Sequence, residues 1–424
     1  MYPFLMSPFI KNRPQLILES NHPVREDLYM KRLFIIGASI LQLPAIQRAK
    51  ELGYYVGVAD YDPNAIGIPY ADEYYNVSTI DEVGVCIAAQ KFQANGIMTL
   101  ATDMPMRSVA YTCEKLGLTG VTYDTAIKST DKAEMIRAFE AAGVEHPWYY
   151  VVTNPADAFE VLHKVNYPCI AKPTDNSGSR GIMLAHNPEE LLTAVAYSAK
   201  NGRGGAVIIE EYLQGPEVSV EIIVYRGVPH VLQITDKLTT GAPHFIEMGH
   251  AQPSSLTKDD LDKISDLACR STRAVGLMDG PAHVEIILTA EGPKMVEMGA
   301  RMGGGCITTH LVPLSTGIDM VKATIDICLG QEPDLTPTIN KGAAIRFFAP
   351  SCGIIQSIEH VNEANNILGV KEIAFTKSVG ERSVPLSSGA DRAGYVIAQM
   401  DTPSEAVASC EKALETIHFN ILNE

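Results

Sequence analysis

Between residues 31 and 60 the chain runs through a pattern that leaves few folds open. In KRLFIIGAS, residues 33–36 form a short apolar strand and Gly37 marks a turn. A helical pattern follows from about Pro44 to Leu52, Gly53 closes it, and YYVGVAD supplies a second strand ending at Asp60. Strand, turn, helix and strand in this order make a β–α–β unit, whose crossover sets the two strands parallel. With a further strand in GIMTL (96–100), the pattern predicts a parallel sheet over roughly residues 31–115.

The texture then changes. Asp131 is placed to cap a helix, with Glu134 as its capping-box-like partner. Met135, Ile136 and Phe139 share one face, and Gly143 ends the helix. The strand-like segments WYYVV, YPCIAKP, AVIIEEYL, VSVEIIV and VPHVLQITD come next, with helices interspersed, which is an α+β arrangement. Near the end, Thr402-Pro403-Ser404-Glu405 starts a last helix whose buried stripe is Val407, Cys410, Leu414 and Ile417. A length of 424 residues accommodates two to four domains at roughly 100–200 residues each. Residues 1–29 read as an extension without a signal-peptide cleavage pattern, and the organised sequence begins after Met30.

Composition narrows the function. A net charge of −16 with no Lys/Arg-rich run disfavours nucleic acid as a partner, so any anion must be held by a few local cations. No apolar run reaches the ~18–20 residues of a membrane helix. Eight cysteines without a C-x-x-C pair, several inside apolar runs, read as reduced core thiols of a cytoplasmic protein.

Common catalytic signatures are missing: no Walker loop, no G-x-S-x-G and no H-E-x-x-H. The first β–α turn, GASILQ, has one glycine where a dinucleotide fingerprint has three. The most informative segment is HVEIILTAEGPKMVEMGARMGGG. A hairpin centred on Glu291 puts Glu285 and Glu297 opposite each other on one face, with side-chain bases roughly 4.5–5.5 Å apart. Two facing carboxylates repel unless a proton or cation lies between them, and hard oxygen ligands suit Mg²⁺. The other reading is an acidic pair on a solvated face.

In YPCIAKPTDNSGSRGI, Lys172 ends an apolar strand, and the loop around Ser177 and Gly178 offers hydroxyls and backbone N–H groups for phosphate. Read alone, it is as readily a hairpin turn with a snorkelling lysine. In AVIIEEYLQGPEVSVE, the strand end Glu210-Glu211-Tyr212-Leu213 has free backbone groups that can pair with a purine edge, and Glu217 can accept from ribose hydroxyls. Read alone, it is a solvent-facing acidic strand end. Lys132, Lys237, His250 and Arg301 are the remaining polar candidates. Glu247 and His250 can face an acceptor, although nothing in their spacing demands it.

Taken in order, Lys132, Lys172 with its Gly/Ser loop, E-E-Y-L with Glu217, Glu285 and V-E-M-G-A-R make the chain resemble an ATP-grasp enzyme over about residues 30–424. The resemblance implies a Rossmann-like preATP-grasp domain at 30–115, a two-lobed ATP-grasp domain at 116–335 with a lid lobe at about 131–206, and a small α+β C-terminal domain at 336–424 of the biotin-carboxylase-like and L-amino-acid-ligase-like kind. It implies that Lys132 and Lys172 touch the nucleotide, Glu210 to Leu213 the adenine, and Glu217 the ribose. Glu285 and Glu297 would hold Mg²⁺ (or Mn²⁺ as a substitute), and Lys237 and Arg301 would meet the phosphates. Gly299 departs from the pattern, since the family commonly has Asn there. The implied chemistry is activation of a small-molecule carboxylate by ATP as an acylphosphate, followed by attack of an amine, in an enzyme that is by default a homodimer. The alternatives are a carboxylase or glycinamide-ribonucleotide-synthetase-like ligase, or an ATP-binding regulatory protein without turnover. No A-M-K-M biotin-carrier segment is evident.

Overall fold

The computed structural model describes residues 30–178, 180–242 and 245–422, so the 1–29 extension lies outside the described residues. The opening pattern folds as its spacing predicts. Strands β1 (Arg32–Ile36), β2 (Tyr55–Asp60), β3 (Glu73–Asn76) and β4 (Gly96–Met98) pair in parallel in the order β3-β2-β1-β4. The helices are α1 (Leu43–Glu51), α2 (Glu82–Phe92) and α3 (Met106–Leu116). Successive side chains of a strand point to opposite faces. Leu33 and Ile35 therefore pack with α1, while Phe34 and Ile36 join a second core with α2 and α3. Burial on both faces is why LFII is an unbroken apolar run.

Two helices follow, α4 (Tyr123–Thr130) and α5 (Lys132–Ala142). Asp131 caps α5 by accepting from the N–H groups of Ala133 and Glu134. The return half of the expected capping box is absent, because the Glu134 carboxylate turns to Arg137 at 2.6 Å and the Asp131 N–H is used by Ile127 O. A separate lobe is then built from β5 (Tyr149–Val152), β6 (Cys169–Pro173), β7 (Met183–Ala185), α6 (Pro188–Asn201) and β8 (Val207–Glu211). Its antiparallel sheet, β5-β8-β6-β7, has its own core around Leu191, Val195 and Ile209.

The rest of the chain is organised by one eight-stranded antiparallel sheet. It takes β9 (Glu217–Tyr225), β10 (Val228–Thr239) and β11 (Glu247–Gln252), then, after α7 (Lys258–Ala274), β12 (Gly280–Thr289) and β13 (Gly292–Gly299). Past α8 (Val312–Thr316) and α9 (Met320–Cys328) come β14 (Gly342–Phe348), β15 (Gly353–Glu359), α10 (Val361–Asn365), β16 (Val370–Phe375), β17 (Arg382–Ser383), β18 (Gly394–Met400), α11 (Pro403–Thr416) and β19 (His418–Leu422). The sheet order is β13-β12-β9-β10-β11-β14-β18-β16, so strands from after residue 336 extend the sheet that begins at residue 217. The C-terminal segment keeps its own core, with Cys410 of α11 buried on Ala344 and Val396. All eight cysteines are free.

Candidate active site

The alternation of β9 makes the central sheet two-sided. Val218, Val220, Ile222 and Val224 face a core shared with α5 and α7. Glu217, Ser219 and Glu221 lie on the other face, where β12 contributes His283 and Glu285. The chain reaches β9 from the lobe through Tyr212–Pro216. Gly215 there has φ +146°, and a Cβ at this position would stand 2.0 Å from Leu288 O, so no other residue fits against β12.

Glu285 and Glu297 are register partners across the β12–β13 hairpin, as their spacing predicts. The route is slightly different from a turn centred on Glu291. Thr289 pairs with Gly292 around a two-residue turn, and a bulge between the Glu285 and Ile286 pairs leaves Val296 unpaired and restores the glutamates to opposite positions. Each of the two carboxylates is matched by its own lysine. Lys132 Nζ lies 2.9 Å from Glu297. Lys237 Nζ lies 2.5 Å from Glu217, 3.2 Å from Glu247 and 3.1 Å from Glu285.

The other expected residues fall around these two lysines. Lys132 donates to Asn176 O at 2.7 Å, joining the start of α5 to the loop of Ser177 and Gly178. Lys172 and Glu210 face each other at 2.6 Å with only 6% and 7% of their side chains exposed, so each carries the other's charge. Glu211 meets Lys294 at 3.1 Å, Tyr212 packs near Phe245, and Leu213 is buried. Lys132, Ser177, Glu297 and Arg301 line a cavity of about 280 Å³ with Asp103 and Arg107 from the parallel-sheet domain.

Four participants were not legible as such in the sequence. Asp103 holds Arg301 through two hydrogen bonds, Nε–H to Oδ1 at 2.8 Å and Nη2–H to Oδ2 at 3.0 Å. It follows β4, and the loop beyond the carboxyl end of a parallel strand is the signal that points to it. Glu221 and His283 form a buried pair at 2.8 Å, and His283 Nε2 reaches Glu285 at 3.3 Å. Both are polar residues inside apolar strand runs. Lys294 sits three residues past Glu291 of the turn and holds Glu211. Asp103 also explains Gly299, because a Cβ there would stand 2.9 Å from Asp103 Oδ1 and 3.0 Å from Arg301 Nε. The space the resemblance gives to an Asn side chain is filled by this ion pair.

The electrostatics follow from burial opposed by close partners. Burial lowers the pKa of the Lys132 ammonium, but Glu297, Asp103 and Glu210 outweigh it and the net shift is upward. Burial works against Lys237 too, and Glu285, Glu217 and Glu247 raise it well above the usual lysine range. Glu285 and Glu247 are pulled down against burial, chiefly by Lys237. Burial opposes the charge on His283 as well, yet Glu221 and Glu285 push it up to about 9. The site is thus a set of fixed charges, not of poised proton donors.

Among the described residues no three His, Cys, Asp or Glu side chains form a ready-made metal cluster. Mg²⁺ does not need one, since it commonly takes one or two carboxylates together with substrate phosphates and water. The register-paired Glu285 and Glu297 supply two carboxylates that fit that donor set.

The chain is similar to known proteins over two of its parts. Residues 165–310 match the ATP-grasp domain, and residues 346–421 match the L-amino acid ligase C-terminal domain 2. The alanine–anticapsin ligase of Bacillus subtilis is 27% identical over 335 residues, covering 72% of this chain and 70% of that protein. The crystal structure of an L-amino acid ligase from Bacillus licheniformis superposes with a TM-score of 0.80 at 22% identity, covering 93% and 99% of the two chains. A phosphoribosylglycinamide synthetase from Anaerococcus prevotii gives 0.76 at 24% identity, covering 92% and 100%. With the cation-lined cavity and the opposed glutamates, these matches identify an ATP-grasp domain at 165–310 joined to an L-amino acid ligase C-terminal domain at 346–421, the make-up of an ATP-dependent ligase.

Proposed function

We propose that this enzyme joins a small-molecule carboxylate of amino-acid type to an amine, activating the carboxylate with ATP as an acylphosphate and releasing ADP and phosphate. The observation that carries the reading is the register pairing of Glu285, held by Lys237, with Glu297, which lines a cavity together with Lys132 and Arg301. Phosphoryl transfer needs positioning and neutralisation of spreading negative charge, and these side chains supply both locally despite the net charge of −16. The L-amino acid ligase C-terminal match supports an amine acceptor over carbamate chemistry.

In this reading Lys132 and Lys172 hold the nucleotide with the Ser177–Gly178 loop. Glu210 to Leu213 flank the adenine and Glu217 takes the ribose. Lys237 and Arg301 are the catalytic cations at the phosphates. Glu285 and Glu297 would hold Mg²⁺, with Mn²⁺ as a substitute; the ion neutralises phosphate charge when bound. The protein works as a cytoplasmic homodimer. Among the described residues no helix is long and apolar enough to cross a membrane. The test is ADP release from Mg·ATP with amino acids and small carboxylic acids, singly and in pairs. ATP binding without ADP release in any pool would leave a nucleotide-binding protein and defeat the ligase reading.

A further inference from the structure

Burial pushes up the thiols of Cys86, Cys113, Cys169, Cys269, Cys328 and Cys410, which favours the unreactive protonated form. Cys352 is exposed. Cys306 is neither a core thiol nor an open surface one. It is half-buried, with φ +62°, at the bend between the Gly303-Gly304-Gly305 run and a single helical turn, Ile307–Leu311. Gly305 faces the fully buried His250, whose ring nitrogens have no hydrogen-bond partner, and a Cβ at 305 would stand 3.0 Å from Nε2.

Polar groups from three elements meet the Cys306 thiol. His310 lies one turn on and donates its backbone N–H to Cys306 O at 3.0 Å, so the two side chains share a face. His310 Nε2 lies 3.5 Å from Glu372 Oε2 on β16, and the other Glu372 oxygen accepts from the Tyr395 hydroxyl at 2.8 Å. Tyr395, on β18, is itself a neighbour of the thiol. Arg392, just before β18, has its guanidinium over the Phe347 ring at 3.7 Å and adds a positive charge close to the sulfur. Burial opposes the charge on His310, but Cys306 and Glu372 overcome it and bring the ring to about 10, so the imidazole meets the sulfur as a cation. Thiol, histidine and carboxylate in this order are a nucleophile, the group that manages its proton and the group that orients that ring.

We infer that Cys306 is a modification site for peroxides, with His310 supporting its thiolate and Glu372 and Tyr395 holding His310 in place. This goes beyond the ligase reading and does not depend on it. The thiolate sulfur attacks one oxygen of the peroxide and the O–O bond breaks. The departing hydroxide takes the His310 proton and leaves as water. Sulfur is oxidised to the sulfenic acid while the peroxide is reduced. The oxygen gained by the sulfur lies beside two cations, His310 and Arg392. Half-burial admits an oxidant of this size and hinders bulky electrophiles.

The test is timed exposure of the folded, fully reduced protein to hydrogen peroxide at neutral pH. Thiols that survive are alkylated in denaturant and counted residue by residue by peptide mass spectrometry. Cys306 is expected to lose its thiol about 10-fold faster than Cys352, although Cys352 is the more exposed of the two. His310→Gln should remove that advantage and leave the Cys352 rate unchanged, and Glu372→Gln should remove part of it. Simple exposure as the cause predicts the opposite order, with Cys352 first. Cys306 reacting no faster than Cys352, or as fast in both variants as in wild type, overturns the assignment. The buried Cys410 reports on the fold in the same spectra. A variant in which Cys410 becomes reactive is unfolded, and the wild-type comparison with the other variant then decides.

Discussion

Glu285 and Glu297 stand opposite each other across the β12–β13 hairpin, yet each carboxylate rests on a different lysine, Glu285 on Lys237 at 3.1 Å and Glu297 on Lys132 at 2.9 Å. Spacing alone suggests a repelling pair waiting for a cation. In the folded chain the repulsion is already screened, and that changes what a substitution should do.

Glu297→Gln should abolish most turnover and also destabilise the ligand-free protein by about 1–3 kcal/mol, because it leaves the Lys132 ammonium with a weakened partner. Melting curves with and without Mg·ATP, beside ADP release, check both parts. A variant more stable than wild type would restore the repulsion picture, and normal turnover would remove Glu297 from the metal assignment.

Lys172→Met should weaken nucleotide binding and also cost stability, since Glu210 is left buried and ionised 2.6 Å from the missing ammonium. The expected loss is about 3 kcal/mol. Lys172→Met/Glu210→Gln should regain most of that stability without regaining ATP affinity. Denaturant unfolding and calorimetry on the two variants separate the structural share of Lys172 from its share in binding.

How far the sequence went is clearest at these residues. The parallel sheet, the lobe strands and the Glu285–Glu297 pairing follow from periodicity and turn spacing, which are local properties of the chain. The Lys172–Glu210 and Lys132–Glu297 pairs are not local, since they join positions 38 and 165 residues apart, a distance that no spacing rule spans. The Asp103–Arg301 pair bridges two domains and is equally invisible in either segment. The central sheet's continuation past residue 336 was hidden for the same reason, because β11 and β14 are brought together only by the fold.

His283→Gln should lower the apparent Mg²⁺ affinity about 10-fold or more while ATP-independent folding persists. His283 orients Glu285 at 3.3 Å and is itself held by Glu221 at 2.8 Å. Titrating Mg²⁺ in the ADP-release assay reads the effect. Unchanged Mg²⁺ dependence would make the Glu221–His283 pair purely structural.

His310 gives a pH signature. Burial opposes its charge, yet Cys306 and Glu372 push its pKa up to about 10, while His310 lowers that of Glu372. A raised histidine stabilises fully below its unfolded pKa of about 6.5 and loses that contribution as pH rises toward 10. A lowered glutamate stabilises above about 4.3 and loses that contribution as pH falls through its folded value. The melting-temperature gap between wild type and His310→Gln should thus be widest near pH 5–6 and shrink in both directions. At this partly exposed pair it should amount to on the order of 1 kcal/mol. A gap that does not vary with pH would refute the ionic pairing.

The eight-stranded sheet also determines which parts of the enzyme can move. Glu217 lies on β9, Lys237 on β10 and Glu285 on β12, all strands of one hydrogen-bonded plate. Bending that plate would strain its ladder bonds, so the spacing of these three charges is expected to hold through a turnover. The lobe of residues 149–211 shares no strand with it and connects through short segments at either end. If the lobe closes on the cavity during a turnover, the separate sheets make that a one-sided stroke, with the lobe moving and the eight-stranded plate staying in place.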